Sequence, residues 1–251
     1  MIAAITRPVA RTHLPSATSA GMLVAGGAAW VVAIVWAGRS GTGAMPGMTL
    51  GPFVAMWAVM MAAMMLPSVA PIAGLYARTI TRWRPIRVSA FGAGYALAWA
   101  ATGVIAYLLA GGLNDLVVGR PAAGRLVGSA LFAACGVYQL TSLKDWCLAH
   151  CRTPFGHLIH YTSFRGPTRD LRAGAHHGLF CLGCCWALML LILAFGVMNL
   201  VAMAALATVI AVEKSWRHGR SFARVVGVMS LAWAVAVLAE PALAPGLQPM
   251  G

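Results

Sequence analysis

Residues 178–212 read GLFCLGCCWALMLLILAFGVMNLVAMAALATVIAV, 35 positions without a charged side chain. About 20 apolar residues, rising 1.5 Å each, cross the hydrocarbon core of a bilayer. The stretch is therefore too long for one span and too apolar for the surface of a soluble domain. Gly196 and Asn199 offer a place to turn, because both residue types tolerate backbone conformations that others resist. The reading is two helices, about 174–195 and 199–214, folded back on one another.

The same pattern extends outward in both directions. Apolar runs occupy about 20–38, 52–77, 87–112, 122–143 and 221–239, which makes seven expected spans. Only 9% of the 251 residues are charged and 61% are hydrophobic, whereas a soluble domain carries roughly a quarter charged residues. Within a bilayer every backbone polar group needs an internal partner, so spans are helices or strands of a closed barrel. The runs are continuous and do not alternate every second residue, which excludes the barrel. An all-α, polytopic helical bundle forming one domain is expected, with the lipid bilayer as its main partner.

The formal net charge of +13 does not point to nucleic acid, which would need a contiguous basic face. The basic residues sit instead in short segments between apolar runs. With the N-terminus on the cytoplasmic side, 15 of the 18 fall on cytoplasmic segments, and only Arg39, Arg120 and Arg125 fall outside. That bias is the usual determinant of topology and predicts a multi-pass protein of the inner (cytoplasmic) membrane. A single span over 174–214 would put Lys214, Arg217, Arg220 and Arg224 on the wrong side. The first run, with Arg7 and Arg11 before it, reads as an uncleaved anchor.

Chemistry concentrates in two cysteine groups. Cys147 and Cys151 follow the fourth run, and Cys181, Cys184 and Cys185 stand early in the fifth. Separations of three and four place residues on one helical face, and His177 lies four before Cys181 on the same stripe. His150 stands between the first two cysteines, with His157, His160 and His176 nearby. In a reducing cytosol such cysteines favour metal or redox chemistry over structural disulfides. Thiolates are soft ligands for Cu(I), Zn or iron–sulfur centres, and imidazole suits Zn and Cu. The competing reading is packing, because free cysteine behaves as a small hydrophobe; Cys135, alone in its run, is read that way.

In the second run Met56, Met60 and Met64 recur every four residues, with Met61 and Met65 beside them and Met45 and Met48 ahead. Thioethers are soft ligands for Cu(I), but methionine also fills irregular helix contacts, and both readings stand. Met189, Met198, Met203 and Met229 are read as core. Pro67 interrupts the same run and permits a kink. Glu213 is read as pairing with an arginine of the basic face rather than ligating metal.

The motifs MMAAMMLPS (60–68), KxxCLxxCR (144–152), GLFCLGCCWALM (178–189), GVMNL (196–200) and Glu213–Lys214 resemble a bacterial family of integral membrane proteins predicted to bind metal, over roughly residues 50–240. The resemblance implies metal binding by Cys147, Cys151, Cys181, Cys184 and Cys185. The leading expectation is binding, handling or transport of Cu(I) along a path from methionine to cysteine, with zinc or iron as alternative metals. A metallochaperone or other membrane subunits are the expected protein partners. The alternatives are a membrane thiol–disulfide oxidoreductase and a metal-stabilised subunit of a larger membrane complex. No phosphate-binding glycine loop or carboxylate pair is present, so ATP-driven pumping and hydrolysis find no support.

Overall fold

A computed structural model describes residues 16–40, 48–118, 120–152, 160–161 and 163–247. Arg7, Arg11, Met45 and His157 lie outside them. The described residues form α1 (Ala17–Ser40), α2 (Leu50–Arg78), α3 (Arg84–Val117), α4 (Pro121–Gln139), α5 (Ser142–Arg152), α6 (Arg169–Phe195), α7 (Leu200–Ser215) and α8 (Gly219–Ala239). Two 3-10 turns follow, at Pro241–Leu243 and Pro245–Leu247, and there is no strand among the described residues. The chain is all-α.

Five helices, α1, α2, α3, α6 and α8, are long and apolar enough to cross a membrane. The expected span at 122–143 differs. Its helix stops at Gln139, and α5 departs at 65°. The turn is stabilised locally, because the Thr141 hydroxyl accepts a hydrogen bond from the Lys144 amide at 3.2 Å and donates to the Tyr138 carbonyl at 2.7 Å. Taken together, α4 and α5 qualify as a sixth, broken crossing. The expected span at 199–214 is α7, a helix of 16 residues; at 1.5 Å per residue it reaches only about 24 Å, short of the roughly 30 Å hydrocarbon core.

The long apolar stretch does break where its turn residues stand. Gly196 takes φ +99°, a left-handed conformation that a side chain would resist. Asn199 then caps α7: its Oδ1 accepts from the Ala202 amide at 3.0 Å, and its Nδ2 donates to the Phe195 carbonyl at 3.1 Å. This satisfies groups that a helix end leaves open.

Small residues set the helix crossings. A Cβ on Gly94 would collide with the Leu171 carbonyl, and one on Gly174 with the Phe91 carbonyl, so α3 and α6 meet backbone to backbone. At the crossing of α4 and α8, a Cβ on Gly136 would lie 2.7 Å from the Gly227 carbonyl. Such contacts let close backbone approach and dispersion forces hold the helices together. Pro67 and Pro71 lie inside α2, and the Pro67 ring packs on Gly26 of α1.

One end of the bundle is tied by ions. Arg87 of α3 grips Asp170 of α6 with two groups, Nη2 to Oδ1 at 2.8 Å and Nε to Oδ2 at 3.0 Å, and the Tyr76 hydroxyl of α2 donates to the same carboxylate. Three helices are thus held in register beside the thiol-bearing half of α6.

Candidate metal centre

Helix α5 lays Cys147, Leu148 and Cys151 against α6, where Cys181, Cys184 and Cys185 are all buried. The four-residue spacing of the α5 pair presents both thiols to the same neighbour. Cys151 is buried on the α5 face that packs against this part of α6. The Cys184 and Cys185 thiols donate to the Cys181 carbonyl at 3.1 and 2.9 Å. Cys147 lies one residue to the side, facing Gly183, where a Cβ would come within 2.9 Å of its Sγ. The absence of a side chain at position 183 is what lets α5 approach.

Cys181 is the most polarised of the group. Its Sγ lies 3.0 Å from the Tyr95 hydroxyl of α3 and 3.0 Å from the Lys214 Nζ of α7. The Lys214 ammonium also donates to Ser68 Oγ at 3.2 Å, and the Ser68 hydroxyl donates to the Met65 carbonyl at 2.9 Å. Helices α2, α3, α6 and α7 therefore all reach this one sulfur or its lysine.

On the other flank lies a second lysine. Lys144 is 0% exposed and pairs at 2.6 Å with Glu213, which is 1% exposed. The Lys144 ammonium also donates to the Cys184 carbonyl. Gln139 of α4 donates to the other Glu213 oxygen at 2.6 Å, and Arg152 at the end of α5 donates to the Glu213 backbone carbonyl at 2.6 Å. Glu213 does pair with a cation, as the sequence suggested, but its carboxylate partner is Lys144 and not an arginine. An arginine reaches only its main chain.

The described histidines of this region pack among aromatic rings. His177 is buried with its ring against Phe91 and Tyr95, at centroid distances of 6.4 and 6.0 Å. His150 stacks on Phe180 at 4.9 Å and places Nδ1 2.8 Å from the Trp146 carbonyl. His160 and His176 pack against each other at 4.9 Å. Tyr161 packs between Tyr76, Phe91 and His177; burial pushes its phenol pKa well up, so it stays protonated at neutral pH.

The methionine run is wholly interior. Met56, Met60, Met61, Met64 and Met65 are all buried on α2. The run ends one turn before Ser68, hence one hydrogen bond from Lys214. Of the methionines read as core, Met189, Met198 and Met203 are buried, whereas Met229 is exposed. An apolar groove of about 430 Å³ lies on another side of α6, between Trp57, Trp99 and Trp186, and holds none of the thiols.

Among the described residues no three Cys, His, Asp or Glu side chains converge in an arrangement that would hold a metal ion. A tetrahedral zinc site of the structural kind needs four such ligands. Two-coordinate binding, which the soft monovalent ions accept, needs only a pair of sulfurs, and the thiols of Cys151, Cys181, Cys184 and Cys185 supply the right donor type.

A family model for copper chaperones, PpoB2, matches residues 54–237. The chain belongs to the PpoB2 copper chaperone family. The match takes in the α2 methionines, both cysteine groups and Glu213–Lys214, and leaves out α1. No curated protein and no solved structure matches the chain. Family membership makes copper the metal with support beyond donor chemistry.

Sequence reasoning had singled out the cysteines, the methionine run and Glu213–Lys214. It missed Tyr95 and Gln139 as partners of the centre, and did not assign Lys144 or Ser68 a role. Lys144 stood in view at the head of the KxxCLxxCR motif, but nothing in the sequence said that a carboxylate 69 positions away would neutralise it.

Proposed function

We propose that this PpoB2 family member is a multi-pass protein of the cytoplasmic membrane that receives Cu(I) through the methionines of α2 and holds it on thiolates of α5 and α6. The observation that carries the reading is the Cys181 sulfur 3.0 Å from Lys214, with the buried Cys184 and Cys185 on the same helix and Cys151 on the helix packed against it, at the end of the buried methionine run, in a chain of a copper chaperone family. Copper is the cargo. Thioethers bind Cu(I) more weakly than thiolates, so transfer runs from Met56, Met60 and Met64 toward the cysteines. Cys147, beside the group, is a reserve ligand within reach of a small movement of α5. His150 and His177 are the less favoured ligands, since the one packs on aromatic rings at the rim and the other is enclosed by them.

Elemental mass spectrometry of the detergent-purified protein tests this. Copper at one or more per chain is expected after anaerobic loading, and its loss in a Cys151→Ser/Cys181→Ser/Cys184→Ser variant. Zinc or iron in its place would keep the site and remove the copper assignment.

A second reading rests on the buried free cysteines of α5 and α6, Cys151 on the one and Cys181, Cys184 and Cys185 on the other, as a set of thiols for thiol–disulfide exchange. A free-thiol count that changes with a membrane quinone would favour it; a constant count would leave copper binding alone.

A further inference from the structure

The thiol group lies between two lysines of unlike standing. Lys144 is neutralised by Glu213. Lys214 takes part in none of the ion pairs among the described residues; the hydrogen-bond partners of its ammonium among them are Cys181 Sγ and Ser68 Oγ. A cation held inside a helical bundle is costly unless a negative charge lies close, and the groups able to supply one here are the sulfurs.

We propose that Lys214 is the counter-charge of the loaded centre and thereby a determinant of which metal the centre accepts. This rests on the copper reading above. Two thiolates and one monovalent cation make a complex of net charge −1, which the fixed +1 of Lys214 balances. Two thiolates and a divalent cation make a neutral complex, and the lysine is left without a counter-ion. With Lys214 counted, a divalent ion reaches overall neutrality only by recruiting a third thiolate, and no three ligands are gathered for it among the described residues. The substrate class is therefore the soft monovalent ion, Cu(I) or its mimic Ag(I), in preference to Zn(II). Tyr95 and Ser68 contribute hydrogen bonds without charge, so the preference resides in the lysine.

The test compares wild type, Lys214→Gln and Lys214→Arg of the full chain in detergent, with Cu(I) affinity read anaerobically against a chromophoric chelator and Zn(II) affinity read in parallel. Glutamine retains a donor for Cys181 and Ser68 while removing the charge; Lys214→Met serves the same comparison where the Gln variant does not fold. The expected result is a roughly tenfold weaker grip on Cu(I), about 1.4 kcal/mol, with Zn(II) binding unchanged or tighter, and recovery of the Cu(I) preference in Lys214→Arg. An unaltered Cu(I) to Zn(II) ratio in the uncharged variants, or equal loss of both metals, overturns the assignment while leaving copper binding intact. A wild-type chain that takes up no Cu(I) removes the proposed function, and this inference with it.

Discussion

Lys144 and Lys214 approach the same turn of α6 from two sides, and what surrounds each is different. Lys144 contacts the Cys184 carbonyl, and its charge is matched by Glu213, which Gln139 also holds. Lys214 contacts the Cys181 sulfur itself, and its other hydrogen-bond partner among the described residues is a neutral hydroxyl. The first arrangement is complete without any ligand. It ties α4, α5, α6 and α7 together and fixes where the α5 thiols stand. The second is balanced only when a sulfur beside it carries negative charge. The difference separates a structural flank of the centre from a chemical one.

The largest effect should come from breaking the structural flank. Glu213→Ala leaves the buried Lys144 cation without its counter-charge, which costs about 3–5 kcal/mol, and thermal unfolding in detergent should show a large drop in midpoint. Replacing both partners, as Lys144→Met/Glu213→Leu, should recover most of it. If the single variant melts like wild type, the pair is not the clamp described here. Next comes Gly174→Val, which drives a side chain into the Phe91 carbonyl. Overpacking of this kind costs about 1–3 kcal/mol, and should widen the α3–α6 crossing enough to loosen Tyr95 from Cys181, read as faster alkylation of Cys181.

Smaller effects probe the chemical flank. Tyr95→Phe removes one hydrogen bond to the Cys181 sulfur, worth about 1 kcal/mol, and should weaken Cu(I) binding several-fold with little change in melting. An unchanged affinity would show that the phenol only packs. Met60→Leu/Met64→Leu conserves volume and should alter stability by less than about 1.5 kcal/mol, yet slow copper loading of the thiols; equal loading rates would reduce the methionine run to packing. The smallest change is expected for Arg224→Ala, which breaks the rim ion pair with Asp145 at 3.1 Å. Pairs of that kind contribute about 0–1 kcal/mol, and a larger shift in melting would show the rim to be part of the clamp.

Much of the fold was legible because its signals are local. Apolar runs separated by charged segments marked the helices within a few residues, and Gly196 with Asn199 marked the break between α6 and α7. The bend at residues 140–141 was not legible: the apolar run continues through it, and the capping by Thr141 is a short-range competition that composition does not reveal. The length of α7 likewise follows from where its cap and its last turn fall, which an apolar run alone does not fix.

For the candidate centre, residue type and helical spacing pointed to the cysteines as candidates, since soft donors four apart on one face are a property of the chain itself. Those same rules placed His177 on the cysteine stripe, where the structure surrounds it with the rings of Phe91, Tyr95 and Tyr161. A helical stripe is broad, and a neighbouring helix decides which part of it faces which partner. The sequence by itself therefore determined a helical, apolar protein with a soft-metal donor set. Only the tertiary structure decided that Glu213 neutralises Lys144 and that Lys214 is left facing Cys181, because charge balance depends on distances of a few ångströms between residues dozens of positions apart.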